Sequence, residues 1–176
     1  MGGVEISPDI ALRAAEAIDL AAIRRLHALS FAILASDQHS PAQIAAHTRL
    51  TGTPEYAADV MRSHLMVAQS AESEIVATAG WIAVPEEPDT ARIRKVFVHP
   101  RWARRGLATR LVQDAERRAL EAGYRRIVVR ANRNAVPLYQ KLGYRPLRDG
   151  VMTAPGGIEL PVVFMAKPAV DASPRC

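Results

Sequence analysis

Apolar residues occur along the chain in two spacings, one typical of buried strands and the other typical of amphipathic helices. Short apolar runs predict strands at 65–69, 75–84, 91–98 and 127–129. Apolar residues three or four positions apart predict a long helix at about 105–122, with one face formed by Leu107, Leu111, Ala115 and Ala119. The turn-forming sequence Pro155-Gly156-Gly157 predicts a closing hairpin, with strands at about 144–153 and 159–166.

Residues suited to capping mark the starts of the other helices. Ser40 and Thr53 each precede a proline, and this pair of residue types is a strong signal for a helix start. Asp19 is expected to cap a first helix that follows a short strand at about residues 10–16. Asn134 is expected to cap a short helix that ends at Gly143.

The length and composition of the chain fit one domain with a sizeable core. It has 176 residues, and 49% of them are hydrophobic. No repeat, low-complexity tract or linker marks a second domain. We therefore expect one folded domain at 10–167, between a flexible N-terminus at 1–9 and a flexible tail at 168–176.

Several classes of protein are disfavoured by what the sequence lacks. No run of about 18 apolar residues is present, and no basic segment followed by an apolar run stands at the N-terminus, so neither a membrane span nor a signal peptide is expected. Cys176 is the only cysteine, which excludes an internal disulfide and fits a reducing cytoplasm. No His-x-x-x-His or Cys-x-x-Cys spacing occurs, so no metal is expected.

Positive charge is concentrated in the middle of the chain. Residues 92–148 hold 16 of the 23 lysines and arginines but only three acids. This excess indicates an anionic ligand, either a phosphorylated cofactor or a nucleic acid, although a solvated arginine-rich surface is the simpler alternative. Aromatic residues make up only 5% of the chain and no base-stacking pattern is present, which argues against nucleic acid.

One stretch of this basic segment predicts a phosphate site. The strand that ends at Val98 leads through a loop to Gly106, where a helix begins without a Ser, Thr, Asp or Asn cap. The backbone N–H groups of the first helical turn are therefore free for an external acceptor. The positive end of the helix dipole favours a phosphate there, as do four nearby arginines, Arg101, Arg104, Arg105 and Arg110.

Two motifs within residues 91–144 resemble those of the Gcn5-related N-acetyltransferase (GNAT) family, bacterial type. The segment 104–108 resembles the loop that holds the acetyl-CoA pyrophosphate, and 135–144 resembles a helix that ends in Leu-Gly-Tyr. The resemblance implies an α/β fold: a single GNAT-like domain at 10–167, whose mixed central sheet of about six to seven strands is flanked by helices. It also implies an acetyl-CoA-dependent N-acetyltransferase.

Two positions depart from the pattern of this family. The pyrophosphate loop usually begins with Arg or Gln three residues before its first glycine, whereas Ala103 stands there in this chain and Arg104 follows. Many members carry a glutamate base or water-positioning residue on the preceding strand, and the matching residue here is Arg92. The backbone donors of the loop are unaffected by the first change, but the second leaves the general base unassigned.

The resemblance assigns a set of residues to acetyl-CoA, the acyl-donor cosubstrate. The backbone of one strand would bind the pantetheine amides and stabilise the oxyanion, and the loop and first helical turn would hold the pyrophosphate. The implied cofactor-binding residues are Val96, Phe97, Val98, Arg104, Arg105, Gly106, Leu107, Ala108, Thr109, Asn132, Asn134 and Tyr139. For Asn134, a helix cap is the alternative.

Tyr139 is the catalytic residue that the resemblance implies. Its phenol, with an ordinary pKa of about 10, would protonate the leaving thiolate, whose thiol has a pKa of about 8.5. The alternative is a half-buried helix tyrosine with a solvated hydroxyl group.

The implied acceptor is a primary amine of a small molecule or peptide, and no motif fixes its identity. Walls of the acceptor site are expected from residues 31–62 and from the last hairpin. Asp37, His39 and Trp81 are the expected substrate-binding residues, with packing roles as the alternatives for His39 and Trp81. A homodimer is left open.

Two other functions stay open at this point. A non-catalytic acyl-CoA-binding sensor of the same fold is compatible with Arg92 and with the departure at Ala103. A nucleic-acid-binding protein would use the basic segment. A thermal shift with acetyl-CoA separates the second alternative from the other two, and thiol release with a panel of amines separates the enzyme from the sensor.

Overall fold

The structure is a computed structural model that describes residues 9–167. The two predicted flexible ends therefore lie outside the described residues, apart from Asp9. The described residues form seven strands and five α-helices. In chain order these are β1 (Ala11–Ala14), α1 (Leu20–Leu34), α2 (Pro41–Thr51), α3 (Pro54–Arg62), β2 (Met66–Gln69), β3 (Ile75–Ala83), β4 (Thr90–Val98), α4 (Leu107–Glu121), β5 (Arg126–Asn132), α5 (Val136–Lys141), β6 (Arg145–Ala154) and β7 (Ile158–Lys167).

All seven strands belong to one mixed sheet, as the sequence predicts. Their order across the sheet is β1-β2-β3-β4-β5-β7-β6. Within residues 9–167, neighbouring strands are antiparallel except β4 and β5, which are parallel. The long helix α4 connects this parallel pair, as a crossover connection between parallel strands requires. The predicted α/β fold is confirmed.

Helices cover both faces of the sheet, and the alternation of side chains along β2 shows which helix covers which face. Val67 packs in a cluster with Ile23 of α1 and Val60 of α3, whereas Ala68 packs in a cluster with Leu111 of α4. Since successive side chains of a strand point to opposite faces, α1 and α3 lie on one face and α4 on the other. Tyr139 packs in a cluster with α4, which places α5 on the α4 face.

Two of the predicted helix caps are confirmed. The Ser40 hydroxyl accepts a hydrogen bond from the Gln43 backbone N–H at 3.2 Å, and the Gln43 side chain accepts one from the Ser40 N–H at 2.9 Å. This reciprocal arrangement is a capping box. The Thr53 hydroxyl accepts a hydrogen bond from the Tyr56 backbone N–H at 3.1 Å.

The two other predicted caps are wrong, because both side chains bind different partners. The Asp19 carboxylate accepts hydrogen bonds from Arg13 at 2.7 Å and from the Glu16 backbone N–H at 2.8 Å, and it does not cap α1. The Asn134 amide donates a hydrogen bond to the Leu34 carbonyl at 3.0 Å and leaves α5 without a side-chain cap. Asn134 instead connects the start of α5 with the end of α1.

A bulge in β4 changes which face its side chains occupy. Lys95 has a left-handed backbone conformation, with φ of 55°. Arg94 and Lys95 therefore both reach Asp59 of α3, although neighbouring residues of a regular strand would point to opposite faces. Beyond the bulge, Phe97 stacks on His27 of α1, whereas Val98 packs in the α4 cluster.

Strands β4 and β5 separate in the middle of the sheet. Their pairing begins at Thr90 opposite Arg126 and ends at Ile93 opposite Val129. The remainder of β5 stays paired with β7 as far as Asn132. The bulge thus lies just beyond the last paired residues, and a gap opens between the carboxyl-terminal halves of β4 and β5.

None of the helices within residues 9–167 combines the length and apolar character that crossing a bilayer requires.

Candidate active site

The helix α4 begins without a side-chain cap, as predicted. Gly106 precedes its first residue in a left-handed conformation, with φ of 78°, and within residues 9–167 no side chain caps the first turn. The backbone N–H groups at this end have no intrahelical acceptor. All four arginines named above are exposed here, and the Arg105 guanidinium lies 4.9 Å from the centre of the Trp102 ring. The geometry therefore offers both components of the predicted phosphate site, backbone donors and positive charge.

A cavity of about 600 Å³ lies where β4 and β5 separate. The separated strands form one wall, α1 to α3 form another, and the β6–β7 hairpin closes the far side. Its lining residues are Phe31, His47, Leu50, Glu55, Tyr56, Asp59, Arg62, Arg92, Ile93, Arg94, Lys95, Val96, Phe97, Val129, Arg130, Ala131, Asn132, Tyr139, Val151, Met152, Thr153 and Leu160. Among the β4 residues that line the cavity, Val96 and Phe97 lie nearest to the N-terminus of α4, and neither pairs with β5.

The cavity contains some of the residues that the resemblance assigns to the cofactor. Val96, Phe97, Asn132 and Tyr139 line it, whereas Asn134 is bound to α1. The predicted pyrophosphate residues 104–109 are not among its lining residues and follow β4 at the start of α4. Apart from Asn134, the predicted cofactor residues thus lie at the α4 N-terminus, on the end of β4, and on β5 and α5 where these elements line the cavity.

Tyr139 reaches the cavity from α5. The residue is only 3% exposed, and its ring contacts the Tyr144 ring edge-on, with centres 5.4 Å apart. Burial, together with the negative charge of Glu116, raises the pKa of the Tyr139 phenol. Its hydroxyl therefore carries its proton at neutral pH, which an acid requires.

An ion-pair cluster around Asp59 lines the opposite wall. Its carboxylate binds Arg94 directly and Lys95 at 2.9 Å, and Arg62 lies 3.7 Å away. The Lys95 ammonium also lies 3.7 Å from the centre of the Tyr56 ring. The ion pairs of Asp59 with Arg94 and Lys95, together with the contact of Lys95 with the Tyr56 ring, hold the bulge of β4 against α3.

The same cluster shifts two pKa values. Burial lowers the pKa of Lys95 to about 8, although its hydrogen bond with Asp59 opposes this shift. For Asp59, burial alone would raise the pKa, but the hydrogen bond from Lys95 and the charges of Lys95 and Arg94 outweigh it and lower the value.

A buried chain of hydrogen bonds fixes the backbone at the bulge. The Thr78 hydroxyl donates to the Lys95 carbonyl at 2.7 Å. It therefore accepts from Nε2 of His27 at 2.8 Å, and Nδ1 of His27 accepts from the Tyr56 hydroxyl at 2.7 Å. Burial lowers the pKa of His27 well below its usual value, so the ring stays neutral and this assignment of protons holds.

Neutral aromatic rings form the wall near α2. His47 stacks on Phe31, with ring centres 3.9 Å apart, and its ring lies 5.8 Å from that of Phe97. Burial and the charge of Lys95 lower the pKa of His47 to about 4. At neutral pH this wall is therefore uncharged.

The three predicted substrate-binding residues do not line the cavity. Asp37 is exposed in a short 3₁₀ helix, Ser36–Gln38. His39 is buried behind Phe31, and its Nδ1 donates to the Ala35 carbonyl at 3.0 Å. Trp81 lies in the cluster on the α4 face and stacks on His64, so its contacts are those of a core residue.

The family of this chain follows from a comparison with protein-family models. The model of the acetyltransferase (GNAT) family matches residues 20–144, which include β4, α4, β5, α5 and the three helices of the opposite face. This chain belongs to the GNAT acetyltransferase family. It is an acetyl-CoA-dependent N-acetyltransferase, so the family and the enzyme class predicted from the two motifs are confirmed.

Solved structures of acetyltransferases share this fold. A GCN5-related N-acetyltransferase from Rhodopseudomonas palustris is 23% identical, with a TM-score of 0.82 over 96% of this chain and 100% of that one. The PaiA N-acetyltransferase from Thermoplasma acidophilum, solved with coenzyme A, is 16% identical, with a TM-score of 0.71 over 92% and 99%.

The ribosomal-protein-S18-alanine N-acetyltransferase from Escherichia coli is 19% identical, with a TM-score of 0.64 over 95% of this chain and 98% of that one. No curated protein sequence matches the chain.

Within this GNAT domain, several cavity residues escaped the sequence analysis. Tyr56, Asp59 and His47 belong to no motif, and their roles depend on the packing of α2 and α3 against β4. One signal was present in the sequence, because Arg92, Arg94 and Lys95 place three cations on a single central strand. Charges on a strand covered by helices need partners or a water-filled cavity.

Proposed function

We propose that this enzyme transfers the acetyl group of acetyl-CoA to a primary amine of a small molecule or peptide by direct attack on the thioester. The observation that carries the proposal is the separation of β4 and β5 around a cavity that begins near an uncapped helix N-terminus. One of the related structures was solved with coenzyme A, and another is named for an alanine of a ribosomal protein.

The residues fit acetyl-CoA at both ends. The backbone at 104–109 supplies N–H donors and positive charge for the pyrophosphate. The backbone of Val96, Phe97 and Val98 supplies strand-type donors and acceptors where β5 no longer pairs with β4. Asn132 would contact the pantetheine from the β5 side.

Acetyl-CoA supplies the acyl thioester, and the protein supplies positioning and protons. A backbone N–H of β4 near the bulge donates to the acetyl oxygen as negative charge develops on it. The nitrogen–carbon bond forms and the carbon–sulfur bond breaks. Tyr139 gives its hydroxyl proton to the departing sulfur, the attacking neutral amine loses one proton to water, and water returns a proton to the Tyr139 phenolate.

The raised pKa of Tyr139 sets a condition on this last step. A phenol with a raised pKa is a weaker acid, so the proton moves only if the sulfur is also hard to ionise. The cavity meets this condition, because the burial that penalises the phenolate also penalises a thiolate beside it.

The proposal is tested by incubating the protein with acetyl-CoA and a panel of primary amines and peptides. Free CoA thiol and the mass of the N-acetyl product are measured, and a thermal shift with acetyl-CoA is recorded alongside. We expect a thermal shift, and acetylation of a subset of the amines. A thermal shift without any product would identify a non-catalytic acyl-CoA-binding protein. Absence of the shift would overturn the cofactor site.

A further inference from the structure

The inner end of the cavity carries more positive charge than its own carboxylates balance. Five cationic side chains line the cavity, Arg62, Arg92, Arg94, Lys95 and Arg130. The lining contains two carboxylates, Glu55 and Asp59. Asp59 already binds three of the five cations, and it leaves Arg92 and Arg130 as the remaining ones.

Arg92 and Arg130 lie on the same face of the sheet. In the parallel pairing Arg92 is opposite Val128, and paired residues of neighbouring strands point to the same side. Arg130 follows Val128 by two positions and therefore points to that side as well. Burial lowers the pKa of Arg92, and the positive charge of Arg130 lowers it further. The second effect shows that the two guanidinium groups interact.

Neither arginine has a carboxylate partner among residues 9–167. Glu86 and Glu87 act on Arg92 through space but form no ion pair with it, and Glu87 is bound to Arg126 at 2.5 Å. Arg130 instead lies over the Phe164 ring, 5.3 Å from its centre. Arg92 is partly buried and Arg130 is exposed, and both line the cavity. A partly buried guanidinium group without a carboxylate partner is stabilised by an external anion, and Arg130 lies on the same face to share it.

The phosphates of acetyl-CoA are not that anion. The proposed function binds them at the α4 N-terminus, beyond the carboxyl end of β4, whereas Arg92 lies near the start of that strand. From Arg92 to Val98 the strand spans about 20 Å at 3.3 Å per residue. Two separate cationic regions therefore flank the cofactor path, and the second one faces the acceptor side, where α3 and the β6–β7 hairpin meet the sheet.

We propose that the amine acceptor carries an anionic group, a carboxylate or a phosphonate, which Arg92 and Arg130 bind. This inference rests on the proposed function and names the substrate class of the same cavity. Arg and carboxylate or phosphonate oxygens form short, charge-assisted and often bidentate hydrogen bonds. The remaining walls, with Phe31, Met152 and Leu160, would contact an apolar part of the acceptor.

The test uses pairs of amines that differ only in charge. Amino acids with small, aliphatic and aromatic side chains are each compared with their amides, and aminoalkylphosphonates with the corresponding amino alcohols. We expect kcat/KM for the acids to exceed that for the neutral partners by at least 10-fold. The carboxylate and phosphonate arms show which anion is preferred.

Arg92→Gln and Arg130→Gln should each lower kcat/KM for the acids by about 10- to 100-fold, the effect of losing a charge-assisted hydrogen bond. Their activity on the neutral amines and their affinity for acetyl-CoA should change less than about 3-fold. Arg125→Gln is the matched control, because Arg125 is exposed and does not line the cavity. Arg125→Gln should leave kcat/KM unchanged for the acids and for the neutral amines.

A second readout does not depend on turnover. Binding of N-acetylated amino acids and of their amides to the CoA-saturated protein is measured by calorimetry. Preference for the acids, lost in Arg92→Gln, supports the inference even if no amine is turned over, in which case the proposed function alone fails. Equal binding of acids and amides, or equal kcat/KM for the acids and their neutral partners with no effect of Arg92→Gln on the acids, overturns it and leaves the proposed function standing.

Discussion

Positive charge is exposed at one end of the cofactor path and half buried at the other. At the α4 N-terminus the arginines point into solvent, and the backbone provides the donors. At the inner end, Arg94 and Lys95 of β4 meet Asp59 of α3, and Lys95 also lies over the Tyr56 ring. The first region needs little more than one loop and one helix, whereas the second exists only after α3, β4 and β5 have packed together.

This difference in construction predicts different responses to change. Exposed arginines around backbone donors tolerate substitution of a single side chain, since the N–H groups remain and surface charges are screened. A half-buried ion-pair cluster responds to the loss of one member, because the others are left without a partner away from water. The experiments below separate ligand affinity, turnover and stability in these two regions.

The largest effect is expected for Tyr139→Phe, at the inner end. Removal of the hydroxyl should lower turnover by about 10²–10⁴-fold, the usual contribution of a positioned acid. Affinity for acetyl-CoA should stay the same, because the ring and its packing are retained. Turnover is measured at saturating acetyl-CoA, with affinity measured by calorimetry.

Tyr144→Phe is the matched control for this experiment. The Tyr144 ring contacts the Tyr139 ring and is also buried, but Tyr144 does not line the cavity. We expect its turnover to equal that of the wild type. Equal turnover of both variants, with chemistry limiting, would return Tyr139 to a packing role.

The next largest effect is expected for a substitution at the N-terminus of α4. Gly106→Val should weaken CoA binding by about 10- to 100-fold, the loss of one or two hydrogen bonds to a charged group. The positive φ of Gly106 means that valine also strains the backbone there, so some loss of stability is expected too.

Gly123→Val separates strain from ligand binding. Gly123 follows the other end of α4 with φ of 100°, and a Cβ there would have nothing within 4 Å. Valine at this position should lower stability in a similar way and leave CoA affinity intact. Equal losses of affinity in the two variants would show that strain in α4, and not crowding of a phosphate, is responsible.

Asp59→Asn should act on stability more than on cofactor affinity. Loss of the carboxylate leaves Arg94 and Lys95 without their anion, at a cost of about 1–3 kcal/mol in the free energy of unfolding. Glu121→Gln is the control, because Glu121 pairs with Arg117 on α4 and both side chains are exposed. Its expected cost is below about 1 kcal/mol in urea denaturation.

The contribution of Asp59 should depend on pH in a defined direction. Since Lys95 and Arg94 lower the folded-state pKa of Asp59, its stabilisation is complete above the unfolded value of about 3.9 and is lost as pH falls through the lower folded value. The difference in stability between wild type and Asp59→Asn should therefore be constant from pH 7 to 5 and shrink below pH 4. A difference that persists at the lowest pH would contradict the ion-pair explanation.

The smallest effects are expected at two neighbouring asparagines. Asn132 lines the cavity, and Asn132→Ala should weaken acetyl-CoA binding by about 5-fold, the value of one hydrogen bond. Asn134→Ala should leave this affinity unchanged and lower the free energy of unfolding by about 0.5–1.5 kcal/mol, because it removes the bond to Leu34. If Asn134→Ala weakened acetyl-CoA binding and Asn132→Ala lowered only stability, Asn134 would be the cofactor-binding residue and Asn132 the structural one.

The contrast between the two ends also explains which features the sequence predicts. The helix starts at Ser40 and Thr53, the uncapped entry at Gly106 and the succession of strands and helices along the chain depend on short segments whose spacing is visible in the sequence. The two motifs and the family they indicate are local in the same sense. Tyr139 was assigned through one of these motifs, and its role stays a prediction.

The remaining features depend on contacts between distant segments. Asp19 and Asn134 have the residue types of caps, but Arg13 and the Leu34 carbonyl are their partners in the folded chain. The bulge at Lys95 is held by Thr78 of β3 and Asp59 of α3, and no local sequence pattern predicts it. Asp37, His39 and Trp81, the substrate-binding residues that the sequence predicts, do not line the cavity, and their role in binding the acceptor stays a prediction.

The separation of β4 and β5 has a consequence for the thermodynamics of the whole protein. It leaves two strand edges in the interior of the sheet, whose N–H and C=O groups need water or a partner. A pantetheine chain bound there would occupy the place of a missing strand. A ligand that binds only the folded state adds about 2.7 kcal/mol of stability at one hundred times its Kd. The cellular supply of acetyl-CoA would then govern how long each molecule of this enzyme survives, as well as how fast it works.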